Sequence, residues 1–91
     1  MLPILWRAEA QADLEAILAF IADRNPQAAL NLYDDIKRVV SQLPQHPYLY
    51  RPGRVSGTHE LVAHPNYIVV YRVGVTSIEI VSVLHSRQQY P

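Results

Sequence analysis

A chain of 91 residues in which eight Lys plus Arg balance eight Asp plus Glu is long enough for one domain with one core, and it lacks the global positive field that drives non-specific binding to nucleic acid. The absence of cysteine excludes disulfides and thiolate chemistry. No apolar run approaches the roughly 20 residues that span a bilayer, and Met1 to Arg7 opens no signal-peptide pattern, so a cytoplasmic protein with no membrane partner is expected.

Leu2, Ile4 and Trp6 alternate with Pro3, Leu5 and Arg7, which suits a short first strand whose Pro3 favours a sheet edge or a strand start. Leu14, Ile17, Leu18 and Ile21 then fall at i, i+3, i+4 and i+7, giving a helix from about Glu9 to Asp23 with Asp13, Glu15, Asp23 and Arg24 off its apolar stripe. Asn25-Pro26 ends that helix and starts another, with Asn25 as N-cap and Pro26 at the first helical position. Ala29, Leu32, Tyr33, Ile36, Val40 and Leu43 carry a second stripe to Pro44, opposite a polar face of Asp34, Asp35, Lys37 and Arg38.

Pro44 to Gly57 holds three of the seven prolines and two of the three glycines, and a connection of this length in a small domain is usually functional. Thr58 to Ala63, Tyr67 to Val73 and Ser77 to Leu84 read as consecutive strands joined at His64-Pro65-Asn66 and Gly74-Val75-Thr76. Both parities of the middle strand are apolar, so little exposure is expected on either face. The order strand, helix, helix, strand, strand, strand describes an α+β fold. Residues 1–91 form a single domain in which an N-terminal strand precedes an antiparallel helical hairpin and a three-stranded antiparallel meander, the helices covering one sheet face and the other remaining available.

Charge is unevenly placed: Met1 to Leu49 holds four basic and six acidic residues, whereas Tyr50 to Pro91 holds four basic, two acidic and three of the four histidines. Within the second half, His85, Arg87 and Tyr90 make the sharpest chemical constellation. An imidazole, a fixed cation and a phenol serve acid/base transfer and phosphate stabilisation, and serve equally as contacts to a partner's carboxylates. His46, His59, His64 and His85 have neither helical nor knuckle spacing, and no metal or cofactor is expected.

The run from His59-Glu60-Leu61-Val62-Ala63-His64 through Tyr67-Ile68-Val69-Val70-Tyr71-Arg72-Val73 to Ser82-Val83-Leu84-His85-Ser86-Arg87 resembles the C-terminal half of a RelE/ParE toxin, and the resemblance extends over essentially the whole chain. His46-Pro47-Tyr48-Leu49-Tyr50-Arg51-Pro52 and His64-Pro65-Asn66-Tyr67 bring it closest to the ParE branch. Relatives of the mRNA-cleaving RelE type usually follow an aromatic residue with an arginine at the opening of this strand; here Ile68 stands there, and their preceding lysine-rich stretch is missing.

The resemblance implies the toxin of a bacterial type II toxin-antitoxin pair that stops growth by poisoning DNA gyrase and is neutralised by a cognate antitoxin. DNA would be reached only indirectly, through the antitoxin complex. Arg51, Arg54, His85, Arg87 and Tyr90 are then the expected target contacts, and Trp6, Leu14, Leu18 and Tyr33 the expected antitoxin contacts. The alternatives are a ribosome-dependent mRNA endoribonuclease using Arg54, His85, Arg87 and Tyr90, or an inactive homologue retained as an antitoxin-binding subunit.

Overall fold

Leu32, Ile36, Val40 and Leu43 recur every three or four residues and all four are buried, so the second helix lies with one stripe against a sheet and its charged side in solvent. The computed structural model describes residues 1–90. Its order is β1 (Ile4–Trp6), α1 (Ala8–Ala22), α2 (Pro26–Ser41), a 3-10 turn (Leu43–Gln45), β2 (Arg51–Pro52), β3 (His59–His64), β4 (Tyr67–Val73) and β5 (Ile78–His85). The strand, hairpin and meander stand where the periodicities place them. The additions are the two-residue β2, inside the long connection, and the 3-10 turn that carries the second stripe past the end of α2. Asn25 caps α2 as its position predicts, its side chain accepting the Ala28 N–H at 3.1 Å, with Pro26 following.

The sheet runs β1-β5-β4-β3-β2, with β1 parallel to β5 and every other pair antiparallel. A parallel pair needs a long crossover, and the helical hairpin supplies it. Each edge carries a proline, Pro3 just before β1 and Pro52 in β2, where a missing N–H costs least. Because β1 stops at Trp6, β5 has no neighbour on that side beyond Ile80. Asp13 fills part of the gap: it turns back from α1, and its carboxylate accepts the Val83 N–H at 3.1 Å. A residue that lies off the apolar stripe is thus a tie between helix and sheet.

Strand alternation gives the sheet two covered faces. Leu61, Val69, Tyr71, Ile78, Ile80 and Val83 pack beneath the helices, whereas Ile68, Val70 and Leu84 form a second cluster on the far side with Val81 and Tyr90. All of Ile68, Val69, Val70 and Tyr71 are buried, as the two-parity pattern predicts. The far face is not simply open, as the sequence suggests, because the chain's own C-terminal residues fold back across its centre.

Tyr71 anchors the long connection from the helix side. Its side chain is fully buried, its hydroxyl donates to the Pro47 carbonyl at 2.8 Å, and its ring stacks on His59 with centroids 5.3 Å apart. Burial, aided by the nearby Tyr50 phenol, pushes the Tyr71 hydroxyl from the ordinary 10.0 up to about 12. The fold therefore holds this proton more tightly than the unfolded chain does. The resulting stabilisation is fully present below pH 10 and is lost as pH rises toward 12. Melting temperatures across alkaline pH should show the wild type losing stability over this window more steeply than Tyr71→Phe; parallel curves would show that Tyr71 does not govern the loss.

Candidate functional site

β3 is an apolar strand interrupted by one acid. Glu60 pairs with Val70 on one side and Arg51 on the other, which places it on the face away from the helices, and it is only 3% exposed. A carboxylate removed from water must be compensated by cations and hydrogen bonds. Arg51 Nη2 lies 3.0 Å from Oε1, while Arg54 supplies both its backbone N–H at 3.1 Å and its Nε at 3.5 Å to Oε2. The guanidinium of Arg54 then continues outward: Nη1 donates to the carbonyls of Tyr90 at 3.2 Å and Gln88 at 3.5 Å, and the group lies 5.9 Å from the Tyr90 ring centroid. One arginine thus joins a buried acid in the sheet to the tail that crosses the far face.

Arg51, Arg54 and Tyr90 are therefore neighbours, gathered around a carboxylate rather than around an open anion site. His85 lies elsewhere. It pairs with Tyr67 in the sheet, its ring centroid is 5.3 Å from that of Tyr67, and His64 lies on the other side of the same phenol at 5.8 Å. Each of the two imidazoles accepts the backbone N–H two residues ahead through Nδ1, from Asn66 and Arg87 respectively, at 3.1 Å in both cases. The two rings thus serve as turn caps through Nδ1. Arg87 is exposed just beyond, and among the described residues no hydrogen bond or ion pair engages its side chain. The five expected target contacts thus divide into a cluster of three, an imidazole facing the helix side, and a cation on the intervening tail.

Two functional candidates escape the sequence reading. Glu60 is the first; its signal is a lone acid in an apolar strand with Arg51 and Arg54 a few residues upstream. Arg72 is the second. It shares the far face, opposite Glu79, and its Nη1 is 3.5 Å from the Ser56 carbonyl. Gly57 has φ 83°, and a Cβ there would come within 2.7 Å of the same Nη1, so only glycine fits both the backbone and the neighbour.

The helical side presents a different surface. Trp6, Leu14, Leu18 and Tyr33, the four expected antitoxin contacts, line one cavity of about 260 Å³ with Glu15 and Lys37 at its rim. Leu18 and Tyr33 also wall a second cavity of about 440 Å³ reaching Pro26 and Leu30, and Trp6 and Lys37 wall a third of about 220 Å³ reaching Ile4. Shared walls make them one channel along the hairpin. Leu30 and Tyr33 are 59% and 40% exposed, so large apolar side chains border it.

The chain is similar to known proteins over nearly its whole length. Residues 4–90 match the family described as ParE toxin of type II toxin-antitoxin system, parDE. The chain is 38% identical over 89 residues to toxin Y4kP of Sinorhizobium fredii, covering 97% of this chain and 92% of that protein. It is 31% identical over 88 residues to toxin RelE2 of Caulobacter vibrioides, covering 94% and 97%. Among solved structures, the chromosomal ParDE toxin-antitoxin system from P. aeruginosa aligns at a TM-score of 0.84 and 28% identity, over 93% of this chain and 96% of that one.

Proposed function

The chain belongs to the ParE toxin family of type II toxin-antitoxin systems, and we propose that it arrests growth by binding DNA gyrase through the arginine-bearing sheet face while a cognate antitoxin neutralises it from the helical channel. The observation that carries the choice of target is the pairing of Arg51 and Arg54 with Glu60. A nuclease must stabilise charge developing on a phosphate, and loss of one preorganised donor typically costs two to three orders of magnitude, about 3 kcal/mol. Here the two cations of the long loop are already compensated by a carboxylate, and Ile68, where RNA-cleaving relatives carry arginine, is buried in the second apolar cluster. Half-exposed, carboxylate-held guanidinium groups suit a protein surface instead, giving bidentate contacts at fixed positions.

A ribosome-dependent mRNA endoribonuclease is the second reading, favoured by the 31% identity to a protein named RelE2 and by His85 lying next to exposed Arg87. Purified gyrase with plasmid DNA, run beside a translation-dependent mRNA cleavage assay, separates the two. The expected outcome is accumulation of gyrase-cleaved DNA with intact messages, and Arg87→Ala should weaken growth inhibition while shifting stability by no more than about 0.5 kcal/mol, because the side chain is exposed. Codon-phased mRNA cleavage without DNA damage would reverse the assignment, and neither product would leave an inactive homologue that only binds antitoxin.

For the antitoxin, the channel fits an amphipathic segment whose apolar side chains fill successive cavities between α1 and α2, with an acidic residue near Lys37. A partner that binds only the folded state stabilises it by mass action, so saturating antitoxin should raise the melting temperature of this small domain by several degrees. Leu18→Glu, at the wall shared by two cavities, should weaken antitoxin binding at least about tenfold in calorimetry, since it sets a charge in an apolar slot. Undiminished affinity would move the docking site off the hairpin.

A further inference from the structure

We infer that Glu60 is the positioning residue of the target-binding face: through Arg54 it holds the C-terminal tail, with Tyr90 and Arg87, in the arrangement that meets the target. This inference rests on the reading that the far sheet face is the face that binds.

Three observations converge on it. Glu60 is almost wholly buried, yet the groups that meet its carboxylate belong to β2 or to the loop that follows it, so its charge is directed outward toward the far surface and not into the core. Arg54 carries a rigid planar fork; its backbone N–H is hydrogen-bonded to Oε2 and its Nε stands 3.5 Å from the same oxygen as an ion pair, so Glu60 biases the direction of Nη1. That Nη1 is the group that reaches the carbonyls of Gln88 and Tyr90. On the far side of the tail, the Arg87 N–H is held by His85 Nδ1 and the Ser86 N–H by the Asn66 carbonyl at 2.7 Å. The tail is therefore pinned at both ends, by the β4 and β5 termini at one and by Arg54 at the other. Arg87 stands at the first pin through its own N–H, and the tail beyond it runs to the second.

The first pin is ordinary turn geometry and holds in any sequence with these caps. The second depends on a charge buried in a strand, an expensive arrangement for closing a loop that proline and glycine already constrain. Its particular product is order in exposed groups: Arg51 and Arg54, which are 56% and 37% exposed, and the tail beside them. A binding face whose side chains are ordered beforehand avoids the entropy of ordering them on contact.

The test uses the full chain carrying Glu60→Gln and, separately, Arg54→Lys, with Arg87→Ala as reference. Glu60→Gln keeps the shape and an acceptor for the Arg54 N–H but removes the charge; Arg54→Lys keeps the charge beside Glu60, and therefore the buried pair, but has no fork with which to reach the tail. Amide hydrogen exchange reads order over residues 86–90, a titration of toxin against gyrase-mediated DNA cleavage reads potency separately from maximal cleavage, and calorimetry reads antitoxin affinity. Both variants should lose protection selectively in the tail and lose potency about tenfold, the size expected when two or three side chains must be ordered on binding. Maximal cleavage and antitoxin affinity should be unchanged, and adding Arg87→Ala to either variant should cost less than it does in the wild type. Tail protection retained in both variants overturns the inference, as does full potency with a disordered tail. Full potency of Arg87→Ala alone overturns the reading of the face itself, and the inference with it.

Discussion

A carboxylate placed on a sheet and withdrawn from water cannot stand alone, and the outer architecture of this domain is organised by that requirement. Glu60 occupies a strand position where an aliphatic residue would otherwise complete the cluster of Ile68, Val70 and Leu84. Satisfying it draws Arg51 into the two-residue β2 and folds the loop so that Arg54 can present its N–H and guanidinium together. The close approach of Gly53 to Thr58, where a Cβ would collide with the threonine hydroxyl, is part of the same tight return. Removing only the acid would leave two cations without a counter-charge, whereas an apolar replacement of the whole network would stabilise equally well. The network is better understood through what it orders than through what it adds to stability.

The sheet consequently separates two kinds of surface. On the helical side, an apolar channel runs between the helices, bordered by exposed Leu30 and Tyr33, and the first 49 residues carry more acid than base. On the far side lie Arg51, Arg54 and Arg72, with Arg87 on the tail, offset within the second half only by Glu60 and Glu79. A domain of neutral overall charge can thus offer a greasy slot to one partner and a cationic surface to another without competition between them. Two opposed surfaces agree with a toxin that has both an inhibitor and a target.

The location of His85 bears on mechanism. A general acid must reach the same atom that the cations stabilise. Here His85 faces the helix side beside Tyr67, with Nδ1 occupied as an acceptor, while Arg54 and Tyr90 are on the opposite face. A nuclease built from these residues would need the tail to rearrange before chemistry, whereas a binding surface can use them where they stand.

Periodicity and turn chemistry in the sequence were sufficient for the element order, the cap at Asn25, both turns of the meander and the double burial of β4, because each depends on residues close together in the chain. Even the channel on the hairpin was legible in part, since Leu14, Leu18 and Tyr33 lie on stripes that the helical repeat defines, with Trp6 on the inward parity of the first strand. The tertiary structure alone decided what depends on strand pairing. Arg51 and Arg54 read as free cations until pairing of β2 with β3 sets them over Glu60; Asp13 reads only as off the helical stripe until the early end of β1 exposes Val83; and His85 and Arg87, two residues apart, seem one site until β5 ends at His85, paired with Tyr67 on the helix side, and the turn that follows carries Arg87 away from the strand. The first case turns on register, where a shift of one residue reverses the face a side chain occupies, and the other two on where a strand stops; no local pattern records how the assembled sheet will pair.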